Sequence, residues 1–465
     1  MKFRFVFSLV LLFILYCSTQ AQTWKAVNDE NLYIAIHKIY FPIDNDDKII
    51  IASDNIPMDL SEKEVKFYDH YTTINGKGYQ MSTDRGSTFS KGYLDTWFVY
   101  AFAQDPNNTN LWLAAIRNNG NGNIVISEDG GNIWNLNDLR VPSTSQIVDI
   151  AVKNSKPARF FTSSINKSDG FKTSIDTFRT FTKASDLQIS SRDIEISPVD
   201  SSLIFIAGDK LHNGGVYRSR DNGQTWIKFS SGLENLRIHT VMPSAYDPSI
   251  VVCGADSLTA NGSVGKGIYV SLDTGRTWNL NAAKNSRVFQ IVRHPSNPRF
   301  MAAACDTSGV WLSGCWGTGW EHFDDGFPDS ASIRCVGLPN WAENNDGIIV
   351  YAGTYSSGLW VTPNRIKTSV EEISENFSKI TFLTTAPSPF NQSVSITWFN
   401  PKAQKLNVEI KDINGNAIHS FNESVYNQGI NNITWTPDAK IAGGSYFVVV
   451  SDGFNNVSEK IIFIK

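Results

Sequence analysis

Ser219-Arg220-Asp221-Asn222-Gly223-Gln224-Thr225-Trp226 is one of six variants of a single phrase. It stands also as Ser82-Thr83-Asp84-Arg85-Gly86-Ser87-Thr88-Phe89, as Ser127-Glu128-Asp129-Gly130-Gly131-Asn132-Ile133-Trp134 and as Ser271-Leu272-Asp273-Thr274-Gly275-Arg276-Thr277-Trp278. A worn copy from Ser174 to Phe181 keeps Asp176 but has Phe178 where the glycine belongs. A more worn copy runs from Ser313 to Trp320, with Cys315 at the aspartate position and Gly317 kept. The copies start 42 to 52 residues apart. A period in the forties with strand-like flanks predicts the blades of a β-propeller. The box itself has turn chemistry: a carboxylate that accepts N–H bonds, a glycine for a conformation other residues resist, and an aromatic ring to pack outward.

The flanks agree. Asp193–Ile196 ends at Ser197-Pro198, Leu203–Ala207 ends at Gly208, Gly215–Ser219 enters the box and Trp226–Phe229 leaves it. That is four short antiparallel strands per repeat. First strands begin near Ile36, Val99, Ile147, Asp193, Thr240, Val288 and Ile333, which makes seven. The seventh repeat ends after Gly358–Val361 with no box, whereas Gln22-Thr23-Trp24-Lys25 reads like the end of one. The Trp24 strand is therefore expected to complete the last blade and remove its exposed edge.

The phrase resembles the Asp box of the sialidase-type, BNR-repeat propellers. That superfamily includes sialidases, xyloglucan-cleaving hydrolases, sortilin-like receptors and a photosystem assembly factor. The resemblance covers about residues 22–363 and implies an all-β fold: a seven-bladed β-propeller followed here by a small Ig-like β-sandwich. It implies that Asp84, Asp129, Asp176, Asp221 and Asp273 are structural turn residues on the periphery, opposite the ligand face. The box marks a fold, not a function.

Composition bounds the partners. Against 45 Asp+Glu the 465-residue chain carries 41 Lys+Arg, so no general nucleic-acid binding is expected. Lys2 and Arg4 precede an apolar run from Phe5 to Tyr16, and Thr19-Gln20-Ala21 offers a cleavage point, so residues 1–21 read as a signal peptide. The mature chain is expected to have no transmembrane segment. Cys253, Cys305, Cys315 and Cys335 remain; they read as buried small hydrophobes, with a Cys305–Cys315 pairing across a hairpin left open. No Cys-x-x-Cys occurs and the seven histidines stand singly, so no metal and no cofactor are expected.

From 364 to 380 the chain turns polar and acidic and reads as a linker. Short alternating strands over residues 381–465 predict the sandwich. Ala386-Pro387-Ser388-Pro389-Phe390-Asn391, Asp412…Gly415, Gly429…Trp435 and Gly444-Ser445-Tyr446 closely resemble the C-terminal sorting domain of the type IX secretion system. By that resemblance, residues 381–465 engage the type IX secretion machinery, and the protein is secreted or attached to the outer-membrane surface after passage through the periplasm.

In a four-stranded blade the second-to-third loops and the fourth-to-first connections share one face. Function concentrates in such loops. Tyr68, Tyr71, Arg117, Asp209, His212, Asp256 and Tyr355 are the ligand-binding candidates there, with His70 and Lys266 also on these loops. Arg192, Arg287 and Arg334 lie near first-strand starts, as surface or interblade residues or as a carboxylate-binding set like the sialidase arginine triad. The Arg-Ile-Pro phrase of sialidases is missing, and no Tyr with a nearby Glu stands out as nucleophile. A xyloglucanase-like resemblance would align Asp209 with a catalytic aspartate of that family, and Asp209 and Asp256 are the only acids offered for catalysis. The expected function is non-catalytic binding of a glycan or protein through the loop face, with a sialidase-like or xyloglucanase-like glycoside hydrolase as the alternative. On the binding reading, Asp209→Ala and Asp256→Ala leave the fold nearly intact.

Overall fold

Period-two alternation, broken every few residues by Gly, Asn, Asp or Pro, folds each repeat into four antiparallel strands. The computed structural model describes the chain from Trp24 to Lys465 apart from residues 28–34, 46, 55–75, 95–96, 119–120, 144–145, 167–169, 184–186, 188, 210–213, 261, 307, 325, 329–330, 341–347, 356, 363–379, 381, 387–388, 401–402, 422, 428 and 454–455. Seven four-stranded sheets follow one another as the blades of a propeller. In blade 4, Ser191–Ile196, Ile204–Gly208, Gly215–Ser219 and Ile227–Phe229 pair in chain order. The seven innermost strands are Ala35–Tyr40, Phe98–Asp105, Ile147–Lys153, Ser191–Ile196, Arg237–Pro243, Val288–Arg293 and Ile333–Gly337. The core lies between blades: Leu113 and Ile124 of blade 2, for example, share one apolar cluster with Ile147 and Phe160 of blade 3.

The box is a self-contained turn. Ser82 Oγ accepts the Gly86 N–H at 2.7 Å, while Asp84 Oδ1 accepts the Thr88 N–H at 2.9 Å. The Thr88 hydroxyl and N–H and the Ser82 hydroxyl hold the Asp84 carboxyl down to about 2. Equivalent Ser–Gly and Asp–backbone bonds recur at Asp129, Asp221 and Asp273. At Gly223 (φ +80°) an added Cβ would lie 2.3 Å from the Phe171 ring, so both conformation and space call for glycine. The worn box keeps the turn with Phe178 at φ 64°, buried against Phe160.

The ring closes through its N-terminal strand. Lys25–Ala26 pairs antiparallel with Leu359–Val361 as the fourth strand of blade 7. Trp24 is 4% exposed and packs against the Phe327 ring, tilted by 32° with centroids 4.6 Å apart. The four cysteines are free and buried, so the open Cys305–Cys315 pairing is not formed.

After the propeller come two sheets of a sandwich. Phe382–Ala386, Val394–Asn400 and Gly429–Trp435 form one; Gln404–Lys411, Ala417–Ser420, Ser424–Tyr426, Gly444–Ser451 and Asn456–Phe463 form the other. The signature residues found in the sequence build its frame. Phe390 packs on Trp435 and Phe463, Tyr446 Oη donates to the Ala442 carbonyl at 2.7 Å, and Asp412 accepts the Asn414 and Asn416 N–H groups.

Candidate functional site: the mouth of the central opening

Each innermost strand carries one extra residue near its start, a β-bulge against the second strand. The register slips between Ile36 and Lys38, Val99 and Ala101, Ile147 and Asp149, Ser191 and Asp193, Ile238 and Thr240, Val288 and Gln290, and Ile333 and Cys335. A bulge re-aims a side chain. Here the extra residues are His37, Tyr100, Val148, Arg192, His239, Phe289 and Arg334, and all seven line a central cavity of about 210 Å³.

In blades 3 to 7 the residue after the bulge also reaches the backbone of the next blade; Asp149 Oδ2, for instance, accepts the Ile194 N–H at 3.4 Å. Asp193 Oδ2 accepts the Val241 N–H at 2.9 Å, Thr240 Oγ1 the Ile291 N–H at 3.1 Å and Gln290 Oε1 the Val336 N–H at 3.1 Å. Between the last and first blades, Cys335 Sγ lies 3.7 Å from the Ile36 carbonyl. Bulge residues face the opening, and several of their neighbours both line it and tie one blade to the next.

Around the mouth an arc of charge runs through blades 4 to 7. The second strands of blades 4, 5 and 6 bring up Asp209, Asp256 and Asp306. Arg192 Nε reaches Asp209 Oδ2 at 2.8 Å. Arg237 grips Asp256 with both ends of its fork, Nε to Oδ1 at 2.7 Å and Nη2 to Oδ2 at 2.5 Å. His239 Nε2 donates to Asp256 Oδ2 at 3.0 Å, and Arg287 Nε lies 3.3 Å from the same oxygen. Arg287 also approaches Asp306 at 3.6 Å, and the Ser332 hydroxyl donates to Asp306 at 2.5 Å. Burial alone would raise the Asp256 carboxyl, but Arg237 and His239 outweigh it and hold it below the ordinary carboxylate range. Burial lowers His239 to about 4, so its imidazole is neutral at pH 7.

Arg334 differs from the other cations. Its guanidinium lies between the rings of Phe289 and Tyr355, 4.2 and 4.4 Å from their centroids. Among the described residues it has no carboxylate partner, and its buried Nε has no hydrogen-bond partner. Four guanidiniums thus face three carboxylates, and the unmatched one is clamped by aromatic faces, a geometry worth about 0.5–2 kcal/mol per cation–π contact.

The structure sorts the sequence-derived candidates. Asp209, Asp256, Tyr355, Arg192, Arg287 and Arg334 come together at this mouth. Tyr68, His70, Tyr71 and His212 lie outside the described residues. Arg117, half-buried in Asn108–Asn118, pairs with Phe98 at the register position that Asp256 takes opposite Arg237, and like Arg334 it has a buried Nε with no hydrogen-bond partner. Asp256 corrects two expectations. It sits not in a loop but in the strand Val251–Thr259, because the hairpin with Gly262–Ser271 stays paired out to Thr259 and Gly262. It is also 0% exposed and holds three basic side chains, so its removal is expected to destabilise the fold. Asp209 is likewise buried, 2% exposed, and paired with Arg192. Arg237, His239, Phe289 and Asp306 were not among the candidates. The signal for them was positional: an acid closing successive second strands, and the bulge site itself.

Deeper in the opening, Lys38 Nζ lies 3.5 Å from Asp149 Oδ1, and Asp193 and Glu195 line the same space. Burial pushes the Glu195 carboxyl up to about 7, with Arg293 opposing and Asp149 adding to the rise; burial, Asp149 and Glu195 raise Asp193 as well. A carboxyl raised on folding binds a proton in the native state that the unfolded state releases. Stability is therefore expected to fall as pH rises from about 4.3 toward about 7. Glu195→Gln should flatten that slope and stabilise the protein at pH 8. Urea midpoints from pH 4.5 to 8 check this, and an unchanged slope would contradict it.

Among the described residues no three His, Cys, Asp or Glu side chains are grouped to hold a metal ion, and no helix is long and apolar enough to cross a membrane. No curated protein matches the chain in sequence. Many solved structures are similar, among them three at low identity. PorZ, an essential bacterial surface component of the type-IX secretion system of Porphyromonas gingivalis, shares 14% identity at a TM-score of 0.48, over 95% of this chain and 61% of that one. YCF48 bound to D1 peptide shares 10% at 0.49, over 74% and 96%. The Niastella koreensis GH74 enzyme shares 13% at 0.47, over 93% and 66%. This chain thus spans about three fifths of the length of PorZ. Residues 385–465 match the family model described as the secretion system C-terminal sorting domain, so the chain is a seven-bladed β-propeller that carries such a domain after it.

Proposed function

We propose that this is an exported propeller that binds an acidic glycan or protein ligand at the mouth of its central opening and does not hydrolyse it. The sorting domain supports export through the type IX system, to secretion or to the cell surface. The observation that carries the binding reading is Arg334, held between the Phe289 and Tyr355 rings and lining the opening, without a carboxylate counter-ion among the described residues. A guanidinium fixed in this way keeps its fork free for a carboxylate, sulfate or phosphate group.

Glycoside hydrolysis asks for two carboxyl groups addressed to one sugar bond. Asp209 is engaged by Arg192, and Asp256 by Arg237, His239 and Arg287. That pairing favours binding over the hydrolase alternative. The test uses the full chain on arrays of acidic and neutral glycans and peptides, with fluorogenic glycosides run in parallel. Arg334→Met should weaken binding of an acidic ligand about ten- to a hundredfold, the worth of a charge-assisted hydrogen bond, and leave the melting temperature near wild type. Binding indifferent to Arg334→Met would overturn the site. Turnover abolished by Asp209→Asn in a folded protein would overturn the non-catalytic reading.

A further inference from the structure

The sixth box breaks the pattern of the other five in a particular way. The residue before the conserved glycine position is Arg85, Gly130, Thr177, Asn222 or Thr274 in boxes one to five, all at positive φ and all at least partly exposed. In the sixth it is Trp316, at φ 57° and 4% exposed. A bulky side chain in the left-handed region is unfavourable and calls for a compensating contact. The box has also lost its aspartate to Cys315. Ser313 Oγ still accepts the Gly317 N–H at 3.0 Å, so the turn survives.

Three groups surround the Trp316 indole. The Tyr246 ring lies 4.4 Å away, the Arg299 guanidinium 5.1 Å, and Phe399 of the sandwich meets it edge-on at 5.5 Å. Phe399 is the unexpected partner. In its strand Val394–Asn400, the alternate residues Val394, Ile396 and Trp398 point into the sandwich core. Phe399 therefore points out of it. On a free sandwich it would face water, yet it is 0% exposed, and it groups with Met242, Val252, Met301 and Trp316 of the propeller.

We propose that the sixth box is a docking site for the chain's own C-terminal domain, with Trp316 and Phe399 as the two halves of the contact. A turn motif that elsewhere only shapes a blade corner here grips the sorting domain, and the tryptophan in place of a small or polar residue is what makes the grip. The domain is held against blades 5 and 6 instead of trailing from the segment 363–379.

Two variants of the full chain test this. Trp316→Asn puts at that position the residue that box four carries there, so the turn should persist. Phe399→Ser removes the other half without touching the sandwich core. Each is expected to increase the maximum dimension in small-angle scattering and to speed proteolysis between the domains about tenfold, with the melting temperature of the propeller within a few degrees of wild type. The double variant should fall well short of the sum of the two, because both changes act on the same cluster. Scattering and cleavage identical to wild type in both single variants would overturn the proposal, as would full additivity in the double. If Trp316→Asn unfolds the propeller, Phe399→Ser alone decides: release supports the dock, and an unchanged profile overturns it.

Discussion

Trp24→Ala is expected to destabilise the propeller by about 3–5 kcal/mol, the range for truncating a buried aromatic residue. The indole is 4% exposed, packs against Phe327, and donates from Nε1 to the Phe323 carbonyl at 3.3 Å. Its apolar cluster joins Phe300, Ala302 and Leu312 of blade 6 to Ile333, Val336 and Val350 of blade 7. Behind it, Lys25 and Ala26 pair with Val361 and Trp360, and the Val27 N–H bonds the Leu359 carbonyl at 2.8 Å. The side chain thus anchors the strand that joins the N-terminal segment to the final blade. At about 2–4 °C per kcal/mol, an upper scale for a ring this large, the melting temperature should drop by roughly 10 °C. Deleting residues 22–32 should cost at least as much, since it also bares the edge of blade 7. Trp24→Phe should recover part of the loss by keeping the ring contact. A thermal midpoint unchanged by the deletion would mean the ring closes by other contacts.

How much of this was legible beforehand follows from the range of the interactions. The boxes were readable because their bonds join residues two to four apart, as from Ser82 and Asp84 to Gly86 and Thr88, and so leave a fixed phrase. Closure by Trp24 was readable because a repeat that lacks its last strand predicts where that strand comes from. The mouth was not. His239, Phe289 and Arg334 face the opening only because a bulge in each strand adds a residue, and a one-residue slip in register reverses which side chains point inward. Period-two alternation alone assigns them to the wrong face. The Asp256–Arg287 pair crosses from blade 5 to blade 6, and Trp316 meets a phenylalanine in another domain. Neither contact leaves a local pattern. Burial also inverted the reading of Asp256: a polar residue next to glycines looks like a loop, and here it is the charged centre of a buried network.

That network makes Asp256 the most sensitive carboxylate at the mouth. Asp256→Ala is expected to cost about 3–5 kcal/mol, because it leaves Arg237 and Arg287 charged and largely buried with their shared counter-ion gone. Asp256→Asn keeps the shape and removes the charge, so it should lose most of the same stability; a large difference between the two would point to packing instead. Pairing Asp256→Ala with Arg237→Met should recover part of the loss, since a pair replaced by apolar groups costs less than a pair broken. The pH dependence has a definite sign. A carboxyl held below its unfolded value contributes stability that is complete above about pH 4 and is lost as pH falls toward its folded value. The acid limb of the wild-type profile should therefore be steeper than that of Asp256→Ala, while the two curves run parallel, several kcal/mol apart, from pH 5 upward. Denaturant titrations across that range give both quantities. A midpoint unchanged in Asp256→Ala would show that the three basic side chains do not depend on this carboxylate. It would then be free to serve a bound sugar, and the hydrolase alternative would regain its strongest residue.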